Sequence, residues 1–538
     1  MKKNIIIAAI AAASALFLCP SCQKQELIEP DKESNVEVRI FTAAIEQGPT
    51  KATITDDHRL FWAKGDQIII NDKVYDAEPQ DDSTKAVFSP VSEEAEPVDG
   101  EYHAFFPASL YKDGGFEIPA TQKYSASVLN APMCAVSKTQ QLLFRNICGV
   151  LCFSLKGTYK VKSITLTANE NICGKIEMTD EVNFIFKGEG KTITIDCGDG
   201  VQLSPDEVTN FYMYMPPQTY TSGMKIEVTT AEGKVYWKNT IVVPQKLVRN
   251  TINTFNWRIV FPEYVTIGDL KWTKQNLAVS ASGGKSWKGN NATAVKLPGT
   301  DKDVIVGDYF QWAAYAGYCG KGSDDDNGLL VYTAFNNAKC VGDAGSNSVT
   351  FKEGKTFANQ HAPYYDRPNN YKKYTDEEHA TLDRTGAHSG HNDDAANIVY
   401  GGNWRIPTKD EIDAMKAITY WEYDATDYGY YVYTPVSGDE GGSDGKKADK
   451  STISGTYDKS DALLFFPLSG SGYQDKLLIQ GTPNYDGDYW SSSFFTGENY
   501  SAFAYCQPLR GNYVSPQTGS NRYYGYPVRA VCSVSDKE

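Results

Sequence analysis

The stretch MKIEVTT, residues 224–230, places an apolar side chain at every second position: Met224, Ile226 and Val228. Apolar residues that alternate with polar ones are typical of a β-strand that buries one face. The same pattern recurs in NVEVRIF (35–41), EVNFIF (181–186) and KTITID (191–196). Turn clusters separate these segments, and no amphipathic helix of ten residues is evident among them. The first half of the chain, from Asn35 to about Phe261, is therefore predicted to form β-sandwiches.

Composition excludes one large class of function. The 538-residue chain carries a formal net charge of −15 and has no cluster of Lys and Arg, so a nucleic-acid partner is not expected.

Nine cysteines follow Cys22, without zinc-type spacing, and the odd number leaves at least one thiol unpaired. A chain of this length has room for two to four domains.

The first residues, MKKNIIIAAIAAASALFLCPSC, have a basic start, an apolar run and then a cysteine, Cys22. The apolar run is too short for a membrane span and predicts a secretory signal in residues 1–22. Its end resembles the lipobox of bacterial lipoproteins, which implies that Cys22 is acylated and anchors the chain in the outer membrane. Residues 23–34 are predicted to be a flexible tether. An ordinary signal peptide with an incidental cysteine is the alternative.

Six segments of the first half carry a family resemblance. They are LFWAKGDQIII (60–70), EYHAFFPASL (101–110), EIPATQKY (117–124), LLFRNICGVLCFSL (142–155), YMYMPPQTY (212–220) and NTINTFNW (250–257). In this order the series resembles the fimbrillin-like (Mfa-like) proteins of the Bacteroidetes cell surface. The resemblance implies two transthyretin-like β-sandwiches, residues 35–156 and 157–261. It also implies a pilus subunit, anchor or tip.

The resemblance has a consequence for the N-terminal strand. In such pilins a protease removes that strand, and a strand of a neighbouring subunit fills the groove by strand addition. The matching loop here is QGPTKATIT (47–55), so Lys51 is the candidate processing site. Relatives often have arginine there, and Arg39 and Arg59 are the other candidates. A stalk that never polymerises is an open alternative.

The second half is richer in Trp, Tyr, Gly and Asn. Its segments are YVTIGDLKWTKQNLAV (264–279), GDYFQWAAY (307–315), GGNWRIPTKDEIDAM (401–415), FFPLSGSGY (465–473), YWSSSFF (489–495) and NRYYGYPVRAV (521–531). In this order they resemble the Fibrobacter major paralogous (FISUMP) domain over residues 262–538. That family looks related to the C-type-lectin-like and formylglycine-generating-enzyme folds. The whole chain is thus predicted to be mainly β, with two sandwiches followed by an α+β C-type-lectin-like domain.

The segment GGNWRIPTKDEI predicts a helix start. Thr408 followed by Glu411 forms a capping box, and Ile412, Met415 and Ile418 recur at helical spacing. The two glycines permit a tight approach of another segment.

The remaining side chains of this segment also have structural explanations. Trp404 supplies buried area, and Arg405 is expected to hold a carboxylate or backbone carbonyls. The segment is interpreted as a scaffold rather than a catalytic site.

No catalytic constellation is evident, and the protein is predicted not to be an enzyme. The formylglycine-generating relatives use a closely spaced cysteine pair, whereas Cys506 and Cys532 lie far apart in the sequence. The serines of YWSSS lack a nucleophile-elbow frame. An enzyme on this fold is kept as an alternative.

One cluster could hold a divalent metal, and no other cofactor is predicted. It consists of His388, His391, Asp393 and Asp394. The oxygen-rich loop SDDDNG (323–328) is a candidate for calcium. The alternative is that both are solvated loops.

Aromatic rings and hydroxyl or amide side chains suit sugars. The candidate ligand-binding residues are Trp287, Trp421, Trp312, Tyr489 and Trp490. Trp287 and Trp421 lie in segments predicted to be loops and are the preferred candidates for ligand binding. The alternative is that most of the five residues belong to the core.

The sequence thus predicts a lipid-anchored adhesin-like protein of the outer membrane and cell surface, of the pilus tip or anchor type. Its expected partners are pilus subunits, added through β-strands, and a glycan or another surface ligand. A glycan-capture lipoprotein that serves polysaccharide uptake without a pilus is the alternative.

Overall fold

The structure is a computed structural model. It describes residues 40–45, 62–79, 85–92, 100–112, 114–126, 131–178, 184–240, 245–277, 294–296, 303–305, 308–310, 312–313, 331–333, 340–341, 348–351, 381–385, 392–435, 456–468, 470–473, 476–478, 486–495, 503–511, 513–521 and 524–536.

The strands of the first half are β1 (Phe41–Ile45), β2 (Gln67–Ile70), β3 (Lys73–Pro79), β4 (Lys85–Pro90), β5 (Tyr102–Phe106), β6 (Tyr111–Lys112), β7 (Gly115–Ile118), β8 (Thr121–Lys123), β9 (Met133–Ser137), β10 (Gln141–Asn146), β11 (Gly149–Lys156), β12 (Lys160–Ala168), β13 (Gly174–Met178), β14 (Phe184–Phe186), β15 (Thr192–Gln202), β16 (Thr209–Met215), β17 (Thr219–Tyr220), β18 (Met224–Thr230), β19 (Val235–Asn239), β20 (Gln245–Lys246) and β21 (Ile252–Arg258).

The strands of the second half are β22 (Tyr264–Ile267), β23 (Leu270–Thr273), β24 (Ala294–Lys296), β25 (Asp303–Ile305), β26 (Asp308–Phe310), β27 (Val331–Thr333), β28 (Cys340–Val341), β29 (Ser348–Phe351), β30 (Tyr420–Asp424), β31 (Gly429–Tyr433), β32 (Leu464–Pro467), β33 (Ser471–Tyr473), β34 (Lys476–Leu478), β35 (Asp486–Phe494), β36 (Phe503–Arg510), β37 (Tyr513–Val514), β38 (Thr518–Asn521) and β39 (Val531–Ser533). Its helices are α1 (Ala395–Tyr400) and α2 (Lys409–Ile418). The predicted mainly-β fold is confirmed.

The first unit is a closed barrel in the strand order β1-β10-β9-β5-β2-β3-β4. Strand β1 closes the ring by pairing with β10 in parallel and with β4 in antiparallel orientation. The inward side chains form one apolar core around Trp62, whose ring meets Phe88, Phe106 and Phe144 edge-on. Such edge-to-face contacts add to the stabilisation from burial.

The second unit consists of several sheets around a separate core. A five-stranded sheet has the order β19-β18-β12-β15-β8, and a three-stranded sheet has the order β16-β11-β21. The alternation predicted for β18 is confirmed, because Met224, Ile226 and Val228 are buried and the residues between them are half-exposed. Strands β7 and β8, which lie early in the chain, pair with β13 and β15 of this unit.

These pairings move the boundary between the two units. The sequence places it after residue 156, but β11 pairs along its whole length with β16 and β21 of the second unit. Backbone pairing therefore assigns residues 149–156 to the second unit.

In its described residues, the second half is built from small sheets and the helices α1 and α2. One of its cores surrounds Trp312 and Trp490, and another surrounds Trp272 and Trp421. Within the described part of the chain, no helix has the length and hydropathy needed to cross a membrane.

Arg529 holds three segments of the second half together. This side chain is buried, and its Nη1 donates to the carbonyl oxygens of Thr273 (3.1 Å) and Lys274. Its Nη2 donates to the carbonyl oxygen of Phe465 at 2.7 Å. The guanidinium carbon lies 4.4 Å from the ring centroid of Phe466. One side chain thus satisfies acceptors at and just after the C-terminal end of β23 and within β32.

We expect Arg529→Ala to lower the stability of the second half by about 3 kcal/mol or more, because each buried acceptor left without a donor costs about 1–3 kcal/mol. Differential scanning calorimetry of the full chain measures this change. The exposed Arg145 on β10 provides the control, since its replacement by alanine should stay within about 0.5 kcal/mol. Equal effects of the two substitutions would contradict this role of Arg529.

Candidate functional site

Strand β1 occupies a slot between two other strands. It pairs with β4 on one side and with β10 on the other. Phe41, Ala43 and Ile45 point into the barrel and are 1%, 3% and 5% exposed, while Thr42 and Ala44 face outward and are half-exposed. Without β1, two strand edges and three side-chain pockets would be open. Such a slot suits an extended peptide that adds a strand.

Phe41 is the largest of the three inward side chains of β1, and it contacts two aromatic rings. Its ring packs edge-on against Tyr75, with centroids 5.3 Å apart, and against Tyr102, with centroids 4.9 Å apart.

The candidate processing residue Lys51 and the alternatives Arg39 and Arg59 lie outside the described residues. Processing therefore stays a prediction, as does acylation of Cys22, which also lies outside them.

The glycine pair that follows α1 joins the two halves of the chain. Gly401 and Gly402 have φ values of +66° and +57°. The N–H of Gly402 donates to the carbonyl oxygen of Trp237 at 2.7 Å, and a Cβ on Gly401 would collide with that same oxygen. Next to this contact, the Tyr236 hydroxyl donates to the carbonyl oxygen of Val399 at 2.7 Å. The predicted tight approach is confirmed, and its partner is β19 of the second unit.

The capping box at the start of α2 is confirmed. The Thr408 hydroxyl accepts from the N–H of Glu411 at 3.3 Å, and the Glu411 carboxylate accepts from the N–H of Thr408 at 2.8 Å. Arg405 donates to both oxygens of Glu411, one of them at 2.6 Å, so the expected carboxylate partner exists. Burial favours a higher pKa for Glu411, but these donors outweigh it and hold the pKa below its usual range.

The helical face of α2 is only partly as predicted. Ile412 and Met415 are buried, and Trp404 is buried as expected. Ile418 is 51% exposed, so its prediction was wrong. It is the last residue of α2, and the chain turns into β30 two residues later, which takes this position off the buried face.

The structure places four of the five candidate ligand-binding residues in the core. These are Trp312, Trp421, Tyr489 and Trp490. The indole N–H of Trp312 donates to the carbonyl oxygen of Ser491 at 2.9 Å, and that of Trp490 donates to the carbonyl oxygen of Phe310 at 2.7 Å. Buried rings with satisfied N–H groups leave no open face for a sugar to stack on. Trp287 lies outside the described residues.

Half of the predicted metal cluster lies outside the described residues, so metal binding stays a prediction. His388, His391 and the loop 323–328 lie outside them. Asp394 is buried and caps α1, accepting from the N–H of Asn397 at 3.1 Å and of Ile406 at 3.0 Å. Asp393 is also buried. Among the described side chains, no group of three or more His, Cys, Asp and Glu residues is placed to hold a metal.

The cysteines and serines considered for catalysis occupy packed positions. Cys506 and Cys532 are buried in the same core, and burial raises the pKa of the Cys506 thiol well above its usual value. The Ser491 hydroxyl donates to the carbonyl oxygen of Tyr505 at 3.1 Å, and that of Ser493 accepts from the N–H of Lys409 at 3.0 Å. These contacts stabilise the fold and form no nucleophile–base pair.

Sequence analysis missed the aromatic rings where the two halves meet. Trp237, Phe261 and Tyr264 lie there beside Trp404, and they line a shallow crevice. All five predicted ligand-binding residues belong to the second half, whereas Trp237 lies in β19 of the first half. The alternation in VYWKN (235–239) puts Trp237 on the opposite face from Tyr236, which was an available signal.

No family model and no curated protein sequence matches the chain. Among solved structures, a candidate cell adhesion protein from Bacteroides uniformis is similar at 14% identity, over 41% of this chain and 93% of that chain, with a TM-score of 0.28.

Two fimbrial structures are also similar. The tip fimbrial protein Mfa3 from Porphyromonas gingivalis, with a C-terminal truncation, matches at 11% identity over 42% of this chain and 96% of that one, with a TM-score of 0.21. A fimbrial protein from Bacteroides ovatus matches at 10% identity over 88% and 95%, with a TM-score of 0.19.

We expect Gly401→Ala to loosen the junction of the two halves, because the new methyl group would collide with the backbone of β19. Hydrogen exchange measured by mass spectrometry should become at least about tenfold faster at residues 235–239, equivalent to about 1.4 kcal/mol. Gly65→Ala is a matched control, since Gly65 also has positive φ (+92°) and open space around it but lies in the first barrel, away from β19. Unchanged protection of β19 in Gly401→Ala would show that the glycine contact does not hold the halves together.

Proposed function

We propose that the chain is a lipid-anchored cell-surface adhesin-like protein of the pilus tip or anchor type. The observation that carries this proposal is the position of β1. This five-residue strand closes a barrel and is the first described strand of the chain. The fimbrillin-like motifs of the first half support the same conclusion. The similar fimbrial structures are consistent with it but are not used as support.

The physical basis is an exchange of equivalent strands. A strand from another subunit can replace the backbone hydrogen bonds that β1 makes with β4 and β10. Two open edges in an emptied slot would be prone to unspecific pairing. Exchange is therefore favoured when the incoming strand also fills the pockets of Phe41, Ala43 and Ile45.

The connection to the second half favours a tip or an anchor over a shaft subunit. Only residues 259–263 separate β21 from β22, so no extended tail follows β21 that could be donated to a neighbour. The second half is also docked on β19 through Gly402 and Tyr236. The chain can thus receive a strand while its second half faces a ligand. No catalytic step is part of this proposal.

Strand exchange is tested by replacing the loop around Lys51 with a unique protease site and adding labelled peptides of residues 36–49. After cleavage, the chain should bind the native peptide and an Ala44→Glu peptide, because Ala44 faces outward. An Ala43→Glu peptide should bind at least about tenfold more weakly, since it would bury a charge. Fluorescence anisotropy measures the binding.

The uncleaved chain serves as the control and should bind none of the three peptides. Equal binding of the Ala43→Glu and Ala44→Glu peptides, or no binding after cleavage, would refute strand exchange. A glycan-capture lipoprotein without a pilus would then be the better account.

Lipid anchoring requires its own test, because it depends on Cys22 alone. Labelling of cells with an alkyne fatty acid should mark the native chain and not Cys22→Ala, which should be released into the medium. Cys19→Ala is the matched control and should behave like the native chain. Label retained in Cys22→Ala would contradict acylation at this residue.

A further inference from the structure

Strand β21 has one edge that pairs with β11 and one that faces away from it. It lies at the end of the sheet β16-β11-β21, and β11 is its only partner among the described strands. Two bonds fix the phase of this parallel ladder. The N–H of Val150 donates to the carbonyl oxygen of Thr251 at 2.9 Å, and the N–H of Ile259 donates to that of Lys156 at 2.8 Å. The odd-numbered residues of β21 therefore direct their backbone groups at β11.

The even-numbered residues of β21 form the free edge. The N–H and C=O groups of Ile252, Thr254 and Asn256 point away from β11, because backbone groups alternate in direction along a strand. Within the part of the chain that the structure describes, these groups have no hydrogen-bond partner. The side chains of Thr254 and Asn256 are exposed. An unpaired edge of this kind is a template for strand addition.

Two neighbouring edges are closed by specific contacts. At the opposite edge of the same sheet, the Gln122 side-chain amide donates to the carbonyl oxygen of Tyr214 at 2.8 Å and accepts from its N–H at 3.1 Å. On the other sheet, edge strand β19 accepts the N–H of Gly402 at the Trp237 carbonyl oxygen. Strand β21 has no such contact, and it also lacks the proline, lysine or bulge that often protects an edge.

A cation without a counter-charge lies beside the same strand. The Nζ of Lys238 is 5.1 Å from the ring centroid of Trp257 on β21 and 5.6 Å from that of Tyr236. The side chain is half-buried, and no carboxylate of the described residues forms an ion pair with it. Burial lowers the pKa of Lys238 to about 7, and a carboxylate placed nearby would oppose this by stabilising the ammonium form. Charge therefore favours an acidic group at this position.

A strand added to β21 would bring such a group within reach. Residues that lie opposite each other on neighbouring strands have Cβ atoms about 4.5–5.5 Å apart. The residue opposite Trp257 would thus lie beside the ring that the Lys238 ammonium contacts.

We propose that the free edge of β21 binds an extended segment of a partner protein, and that an Asp or Glu of this segment pairs with Lys238. Backbone hydrogen bonds supply the affinity, and the carboxylate supplies the selectivity. This edge is separate from the slot of β1, so the inference goes beyond strand exchange and does not depend on it.

The test uses the chain from Gln23 onward, in which β1 stays in its slot, and peptides of about ten residues that alternate Thr and Val. One set carries a single Glu, placed at each Thr position in turn, and a second set carries Gln instead. Fluorescence anisotropy should show saturable binding of at least one Glu peptide. Its Gln counterpart should bind about tenfold more weakly, because it lacks the charge that pairs with Lys238.

Two variants separate the backbone contribution from the charge. Lys238→Met keeps a long side chain without the charge, so it should bind the Glu and Gln peptides equally. Thr254→Pro removes an N–H that points away from β11, so peptide binding should fall at least about tenfold while the sheet keeps its own bonds. Thr254→Ala is the matched control, since it keeps this N–H and should bind as the native chain does. Circular dichroism and the melting temperature verify that each variant is folded.

Three results would overturn the proposal. They are no saturable binding of any peptide below about 1 mM, equal binding of Glu and Gln peptides by the native chain, and unchanged binding by Thr254→Pro. Analytical ultracentrifugation tests a different occupant, a second copy of this chain. Dimerisation that Thr254→Pro abolishes would assign the edge to self-association and would also overturn the partner segment.

Discussion

Closure of the first barrel by β1 is the constraint on which the account of this protein depends. The two strands that flank β1, β4 and β10, use one edge each to pair with its backbone. The alternation of Phe41, Ala43 and Ile45 decides which strands fit, because a shift by one residue would turn these side chains outward. A segment with this role is both necessary for the barrel and short enough to be replaced.

The second constraint is the contact between the glycine turn and β19. Positive φ at Gly401 and Gly402 brings the turn close enough for a backbone hydrogen bond to Trp237, and a side chain on Gly401 would prevent this approach. The capping box and the Arg405–Glu411 pair then fix the direction in which α2 leaves the turn. Local chemistry at one turn thus positions the second half on β19.

Local patterns were enough to predict part of this arrangement. Alternation identified β18, and the spacing of Thr408 and Glu411 identified the start of α2, because both depend on near neighbours in the chain. The junction could not be predicted in this way, since Tyr236 and Val399 lie 163 residues apart. Trp421 looked like a loop residue, yet pairing of β30 with β31 directs it into a core. The boundary after residue 156 missed β11, whose partners come from later in the chain.

The most direct test of the central claim is to lock β1 in its slot. Ala44 and Leu143 are direct neighbours across β1 and β10, and both face outward, so Ala44→Cys with Leu143→Cys can form a disulfide without disturbing the core. The measurement is co-purification of fimbrial subunits with the cell-surface chain, oxidised and reduced. The account predicts co-purification only after reduction. Equal co-purification in both states would contradict it.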